Sequence, residues 1–140
     1  MLIGEYYSKI AEKNRTALPK GLRENLKGTI YLTRGYEKSL IILDQKRWND
    51  LLKVIEVKPF LNKTVRDTKR FIAGGARMLE LDLQGRFVLP ENLIEFAELD
   101  KDIVFVGIID WIEVWSIENW KAKLDDLSEN SAEIAEKLIG

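Results

Sequence analysis

Two arginines stand at matching places in this 140-residue chain. Arg15 ends the stretch Ala11-Glu12-Lys13-Asn14-Arg15, with Pro19 following, and Arg86 ends Asp82-Leu83-Gln84-Gly85-Arg86, with Pro90 following. Each sits just past a tight loop, at a strand start. A guanidinium there can contact phosphates or read a guanine edge with two parallel hydrogen bonds. Lys13 can meet a phosphate as a point charge, and Gln84 can hydrogen-bond a phosphate or a base edge. Lys9 and Lys20 flank the first loop and add to its field. These six residues form the candidate polyanion-binding set. Their competing role is structural: the arginines can pair with Asp82, Glu80 or Glu12, or with a neighbouring chain, and hold the loops in shape. For Arg86, with Asp82 and Glu80 nearby, both roles stay open. For Arg15, in a basic part of the chain, nucleic-acid contact is favoured.

Other chemistries are narrowed by what is missing. The chain has no cysteine and no histidine. That removes disulfides, thiolate nucleophiles, Cys-ligated metals and imidazole bases or ligands. Carboxylates are plentiful, but none is forced into an apolar context that would tune it for acid–base work. No enzyme, cofactor, metal site or small-molecule substrate is therefore expected. Asp125, Asp126, Glu129 and Glu133 read as a solvated helix face, because a hard cation needs a loop of alternating oxygen ligands. Gly74-Gly75 lacks the Lys-Ser/Thr of a phosphate loop. Trp48 and Trp120 fall on apolar helix faces and read as core rather than as base-stacking platforms. The longest apolar run, Ile103 to Ile109, is far short of the ~20 residues of a membrane span. No stretch near the start has the form of a signal peptide. A soluble cytoplasmic protein is expected, with no membrane partner.

The charge balance is uneven along the chain. Lys+Arg number 22 and Asp+Glu 23, but residues 1–70 carry a net +8 and residues 71–140 a net −9. Such asymmetry suggests a basic surface for a polyanion and an acidic one for something else. The same division coincides with an internal repeat. At an offset of 71, Arg15 meets Arg86, Pro19 meets Pro90, Gly4 meets Gly75, Leu22 meets Leu93 and Glu24 meets Glu95. One residue later in offset, Gly35 meets Gly107, Ile42 meets Val114 and Trp48 meets Trp120. Two halves, 1–70 and 71–140, share one plan.

Each half reads as strand, tight loop, short strand, short helix, hairpin and long helix. Gly85 suits a positive-φ turn position, and Asn14 takes that place in the first copy. Pro19 and Pro90 open short helices at the first helical position. Hairpins are expected at 29–43, around Gly35, and at 103–115, around Gly107–Asp110. Asp44 and Ser116 are N-cap candidates for the helices that follow. The first of these should end at Pro59, with Asn62 capping another to about Ile72. The last carries Ile117, Trp120, Leu124, Leu127, Ile134 and Leu138 at helical spacing. Neither half is comfortable alone at this size. The fold class expected is α+β, with two pseudo-symmetric halves sharing a small central β-barrel core and helices outside.

The segment Asp82-Leu83-Gln84-Gly85-Arg86 with Pro90 resembles the D-x-x-G-R signature of the MraZ family. The first copy is a degenerate form of it. Leu2-Ile3-Gly4-Glu5-Tyr6, Leu32-Thr33-Arg34-Gly35, Phe71 to Ala76, and Ile112 to Ser116 with Trp120 fit as well, so the resemblance covers essentially the whole chain. It implies two fused AbrB/MazE-like swapped-hairpin units. It also implies a bacterial DNA-binding transcriptional regulator that assembles into rings and is associated with the promoter of the division and cell-wall gene cluster. Double-stranded DNA and further copies of the chain would be its partners, and the nucleoid its location. The alternative in that fold class is an antitoxin-like protein-interaction module, whose C-terminal tail would be extended. The first copy departs from the signature, with Ala11 for Asp and Asn14 for Gly. Asn14, Asp82 and Gly85 are the residues expected to shape the loops.

Overall fold

The computed structural model describes residues 1–56 and 60–140. The expected helix stop at Pro59 lies outside the described residues. The strands are β1 (Leu2–Lys9), β2 (Arg15–Ala17), β3 (Ile30–Arg34), β4 (Leu40–Asp44), β5 (Arg77–Leu79), β6 (Arg86–Val88), β7 (Asp102–Ile109) and β8 (Ile112–Ser116). The helices are α1 (Lys20–Arg23), α2 (Gln45–Ile55), α3 (Lys63–Ile72), α4 (Glu91–Phe96) and α5 (Ile117–Ile139). The class is α+β with antiparallel pairing throughout the described strands.

Six strands form one sheet in the order β1-β7-β8-β4-β3-β5, and β2 pairs with β6 in a separate two-stranded ribbon. The expected single barrel is thus an open sheet with a ribbon packed on it. The reason lies in β5: it pairs with β3 over only Arg77–Leu79 and ends the sheet there. The halves exchange strands. β1 pairs with β7 of the second hairpin, while β5 pairs with β3 of the first. β4 and β8 join the two hairpins at the centre.

Alternation along the strands gives each sheet face its own core. Leu32, Leu40, Ile42, Ile103, Phe105, Ile112 and Val114 face the ribbon and pack on Leu18, Leu22, Phe87, Leu89 and Leu93. Leu18 and Leu22 have Leu89 and Leu93 as their repeat counterparts, so both copies fill one core. On the other face Val104, Val106, Trp115 and Trp120 form a smaller cluster beneath α5. Trp120 also donates its Nε1–H to Glu5 Oε1 at 2.8 Å. Its counterpart Trp48 is only half-buried, stacked on Tyr31 with ring centroids 4.6 Å apart. The apolar spacing marks both faces but not how completely the neighbours cover them.

The expected caps form. Asp44 Oδ1 accepts from the Arg47 amide at 3.2 Å, Ser116 Oγ from Asn119 at 3.1 Å, and Asn62 Oδ1 from Val65 at 3.1 Å. Pro19 and Pro90 sit one residue earlier than expected, at the N-cap, where their extended backbone turns the chain into α1 and α4. The glycines of the hairpins are not the turn residues. Glu37 and Lys38 carry positive φ in the first turn and Ile109 in the second. Gly107 lies within β7, opposite Gly4, and a Cβ there would sit 2.6 Å from the Ile3 nitrogen. Gly75 gives room to Arg34, whose Nε–H and Nη2–H reach the Phe71 and Arg70 carbonyls at the end of α3.

Candidate nucleic-acid interface

The β2–β6 ribbon brings the two halves' arginines together. Thr16 opposes Phe87, and both turn inward, each 4% exposed. Arg15 opposes Val88 and Ala17 opposes Arg86, so by alternation Arg15 and Arg86 share the outer face. They are diagonal cross-strand neighbours, a spacing of about 7–8 Å between backbones. With Glu80, Asp82 and Val88 they line an open depression of about 400 Å³.

The loops before them lie at opposite ends of the ribbon and are tied across the repeat. Leu18 donates its amide to the Gly85 carbonyl at 2.8 Å, and Leu89 donates to the Asn14 carbonyl at 2.8 Å. Within each loop the outer strand bonds also match. Ala11 N–H meets Arg15 O at 2.7 Å, and Asp82 N–H meets Arg86 O at 3.1 Å.

The second loop is braced by its carboxylate. Asp82 Oδ1 accepts from the Gln84 amide at 2.9 Å and the Arg86 amide at 2.8 Å, and Oδ2 accepts from Arg86 Nε–H at 2.6 Å. Arg86 Nη2–H also donates to Gln84 Oε1 at 3.3 Å. The Arg86 backbone bond, followed by its guanidinium, holds the Asp82 carboxyl below its ordinary range. Gly85, at φ 79°, closes the turn with its amide on the Asp82 carbonyl at 3.0 Å. Both roles foreseen for Arg86 are therefore compatible: Nε is engaged by Asp82, while Nη1 has no partner among the described residues.

The first loop keeps the path without the brace. Ala11 has no side-chain acceptor to offer, and two residues rather than one take the left-handed conformation, Lys13 at φ 61° and Asn14 at φ 57°. Asn14 is where that geometry is expected; Lys13 carries no sequence mark of it. Arg15 and Lys13 are exposed and have no ion pair or side-chain hydrogen bond among the described residues. Lys9, at the end of β1, pairs loosely with Asp102 at 3.7 Å, and Lys20 with Glu24 at 3.7 Å. Exposed pairs of this length are weak, so both ammonium groups are available to an anion.

Arg23 is a contributor that motif spacing does not reveal. Its Nη1–H groups donate to the Leu18 carbonyl at 2.7 Å and to the Gln84 carbonyl at 3.0 Å, so a first-half side chain holds the second-half loop. Its counterpart in the repeat is Ile94, so the repeat gives no signal for it. Among the described residues no group of three or more metal-ligating side chains is arranged to hold an ion, and no helix is long and apolar enough to cross a membrane.

Comparison with known proteins bears on both halves. The family model "MraZ protein, putative antitoxin-like" matches residues 1–71 and again 72–140. "Transcriptional regulator MraZ" of Clostridium tetani is 37% identical over 138 residues, covering 99% of this chain and 96% of that protein. The protein of the same name from Caldicellulosiruptor saccharolyticus is 38% identical over 138 residues, with 99% and 96% covered. That from Syntrophomonas wolfei is 35% identical over 139 residues, with 99% and 97% covered. Matched twice by one family model, and matched along nearly its whole length by these relatives, the chain belongs to the MraZ family.

Proposed function

We propose that this chain is a sequence-specific DNA-binding transcriptional regulator and not an enzyme, and that the outer face of the β2–β6 ribbon is its DNA surface. The names of the relatives support the regulatory role. The observation that carries the DNA reading is the placement of Arg15 and Arg86 on one exposed ribbon face, with Arg15 and Lys13 unpaired among the described residues. Arg15 and Lys13 meet phosphates, with Lys9 and Lys20 adding to the field. Arg86, oriented by Asp82 and Gln84, presents its free Nη1 to a base edge or phosphate, since a buttressed guanidinium loses little freedom on binding. Gln84 reads beside it.

The strand exchange of β1 and β5 supports two fused swapped-hairpin units, 1–70 and 71–140. One protomer offers few phosphate contacts. A ring of copies multiplies them and favours repeated short boxes, here at the promoter of the division and cell-wall gene cluster. The +8 and −9 halves suit a heterologous contact that closes by rotation. Such a protein works in the cytoplasm on the nucleoid. The antitoxin-like alternative needs an extended tail, and α5 is one continuous helix from Ile117 to Ile139.

Fluorescence anisotropy with labelled DNA from upstream of this reading frame, against a scrambled duplex at two salt concentrations, tests the proposal. The native fragment should bind tighter, and binding should weaken steeply with salt as counterions are released. Arg15→Ala with Arg86→Ala should lose at least about tenfold in affinity and flatten the salt slope by about one unit per phosphate contact removed. Equal weak binding to both duplexes, or a double variant with unchanged affinity and slope, would refute it.

A further inference from the structure

We infer that Leu83, at the tip of the second loop, is a specificity-determining residue that reads the 5-methyl group of thymine. The inference rests on the DNA role proposed above and adds one base feature to what the ribbon recognises. Leu83 is 95% exposed, the most exposed large apolar side chain among the described residues. The turn that carries it is well tied. The Gly85 amide closes on the Asp82 carbonyl at 3.0 Å, which leaves Leu83 and Gln84 as the two middle residues. Asp82 Oδ1 holds the Gln84 amide at 2.9 Å, and Arg23 Nη1–H holds the Gln84 carbonyl at 3.0 Å. The backbone on both sides of Leu83 is thus fixed while its side chain stands in water. A side chain presented from a fixed turn loses little freedom when it is covered.

The neighbours of Leu83 say what covers it. Gln84, next in the turn, accepts from Arg86 Nη2–H at 3.3 Å, so Leu83 adjoins the group that presents the unpartnered Arg86 Nη1. A leucine gains nothing from a phosphate; it gains from apolar surface withdrawn from water. On the base edges of duplex DNA that surface is the thymine methyl. It projects into the major groove, where the guanine acceptors that an arginine reads also lie. One loop can therefore address neighbouring base pairs, Arg86 by hydrogen bonds and Leu83 by apolar contact. The repeat makes this reading one-sided. At the offset of 71 the counterpart of Leu83 is Glu12, which is exposed and has no ion pair among the described residues. A carboxylate makes no favourable contact with a methyl group, so the thymine preference belongs to the second loop alone.

Removing the methyl from the DNA and the leucine from the protein tests this. The upstream fragment is made twice, once with thymine and once with deoxyuridine at every thymine position, and titrated by fluorescence anisotropy with the full chain. Wild type should bind the deoxyuridine fragment about fourfold more weakly for each methyl contacted. Leu83→Ala should bind both fragments equally, near the wild-type affinity for deoxyuridine DNA. Leu83→Met, which keeps an apolar tip, should keep the preference. The salt slope of Leu83→Ala should match wild type, since no phosphate contact is lost. Its melting temperature should also match, since the side chain is exposed. A wild type indifferent to the methyl, or a Leu83→Ala that retains the thymine preference, overturns the assignment. The DNA role then stands as long as the native fragment outbinds the scrambled duplex. A wild type that binds native and scrambled duplexes equally overturns both together.

Discussion

Substituting Gly85 by alanine isolates how the second loop is held. Gly85 is buried at φ 79°, and a Cβ built on it would lie 2.4 Å from Arg23 Nη1, 2.8 Å from Arg23 Cδ and 2.8 Å from the Leu18 carbonyl oxygen. Two costs follow. An L-residue other than Gly, Asn or Asp in the left-handed region costs about 1–2 kcal/mol. Driving the guanidinium away breaks its bonds to Leu18 and Gln84, and a hydrogen bond from a charged donor contributes about 1.5–3 kcal/mol net. Because this guanidinium is partly solvated, water recovers much of that, and a share of about 1 kcal/mol is expected. Gly85→Ala should therefore destabilise by about 2–3 kcal/mol, a fall of roughly 7–10 °C in Tm at this chain length. Thermal melts of the wild type, Gly85→Ala, Arg23→Ala and the double variant form a cycle. Removing Arg23 first takes away the nearest clash but not the strain or the Leu18 contact. The double variant should thus be more stable than additivity predicts, by about 1 kcal/mol. A Gly85→Ala melt within about 2 °C of wild type, or an additive cycle, would refute the reasoning.

Three further outcomes are expected. The fold lowers the Asp82 carboxyl below its ordinary range, so its contribution is present above the unfolded carboxylate range and is lost as pH falls below about 4. Asp82→Asn should be less stable than wild type at pH 7, and the gap should narrow as pH falls below the ordinary carboxylate range; a gap constant throughout would show that the charge does not brace the loop. Asp44 is 4% exposed and accepts from the amides of Lys27 and Arg47 and from Arg47 Nη1, whereas Ser116 caps with one bond. Urea unfolding should show Asp44→Ala costing about 2 kcal/mol and Ser116→Ala about 1 kcal/mol; equal costs would mean that the extra bonds of Asp44 contribute nothing. Arg23→Ala should weaken DNA binding without changing its salt slope, because Arg23 touches carbonyls rather than phosphates; a slope shallower by about one unit would make it a phosphate contact.

What the sequence makes legible here is local or repeated. The offset of 71 aligns Arg15 with Arg86 and Pro19 with Pro90, and the caps at Asp44, Asn62 and Ser116 follow from residue type just before an apolar-periodic stretch. What it hides is non-local. Both copies carry the same strand pattern, so nothing in the pattern says whether β1 pairs with its own hairpin or with the other copy's. Only the structure places it on β7. Arg23 reaches the Gln84 carbonyl across 61 positions, and with Ile94 at the repeat-equivalent place it has no echo. The positive φ values of Lys13, Glu37, Lys38 and Ile109 fall on residues that rarely adopt them, so the glycine positions misplace the turns.

The unequal loops also explain how a degenerate motif can sit in a working framework. The bonds that set the ribbon's ends, Leu18 to Gly85 and Leu89 to Asn14, run between backbone atoms. Backbone bonds do not depend on side-chain identity, so the ribbon keeps its pseudo-two-fold form when Asp82 has Ala11 as its counterpart. What the first loop gives up is the carboxylate that would occupy its arginine. Arg15 is left with a guanidinium unpaired among the described residues, beside Lys13, while Arg86 has Nε and Nη2 engaged by Asp82 and Gln84 and only Nη1 without a partner there. The division matches the charge of the halves. The free cations lie where the chain is basic, and the oriented one lies where it is acidic. On the DNA reading proposed above, attraction would come mostly from the first loop and geometric selection mostly from the second.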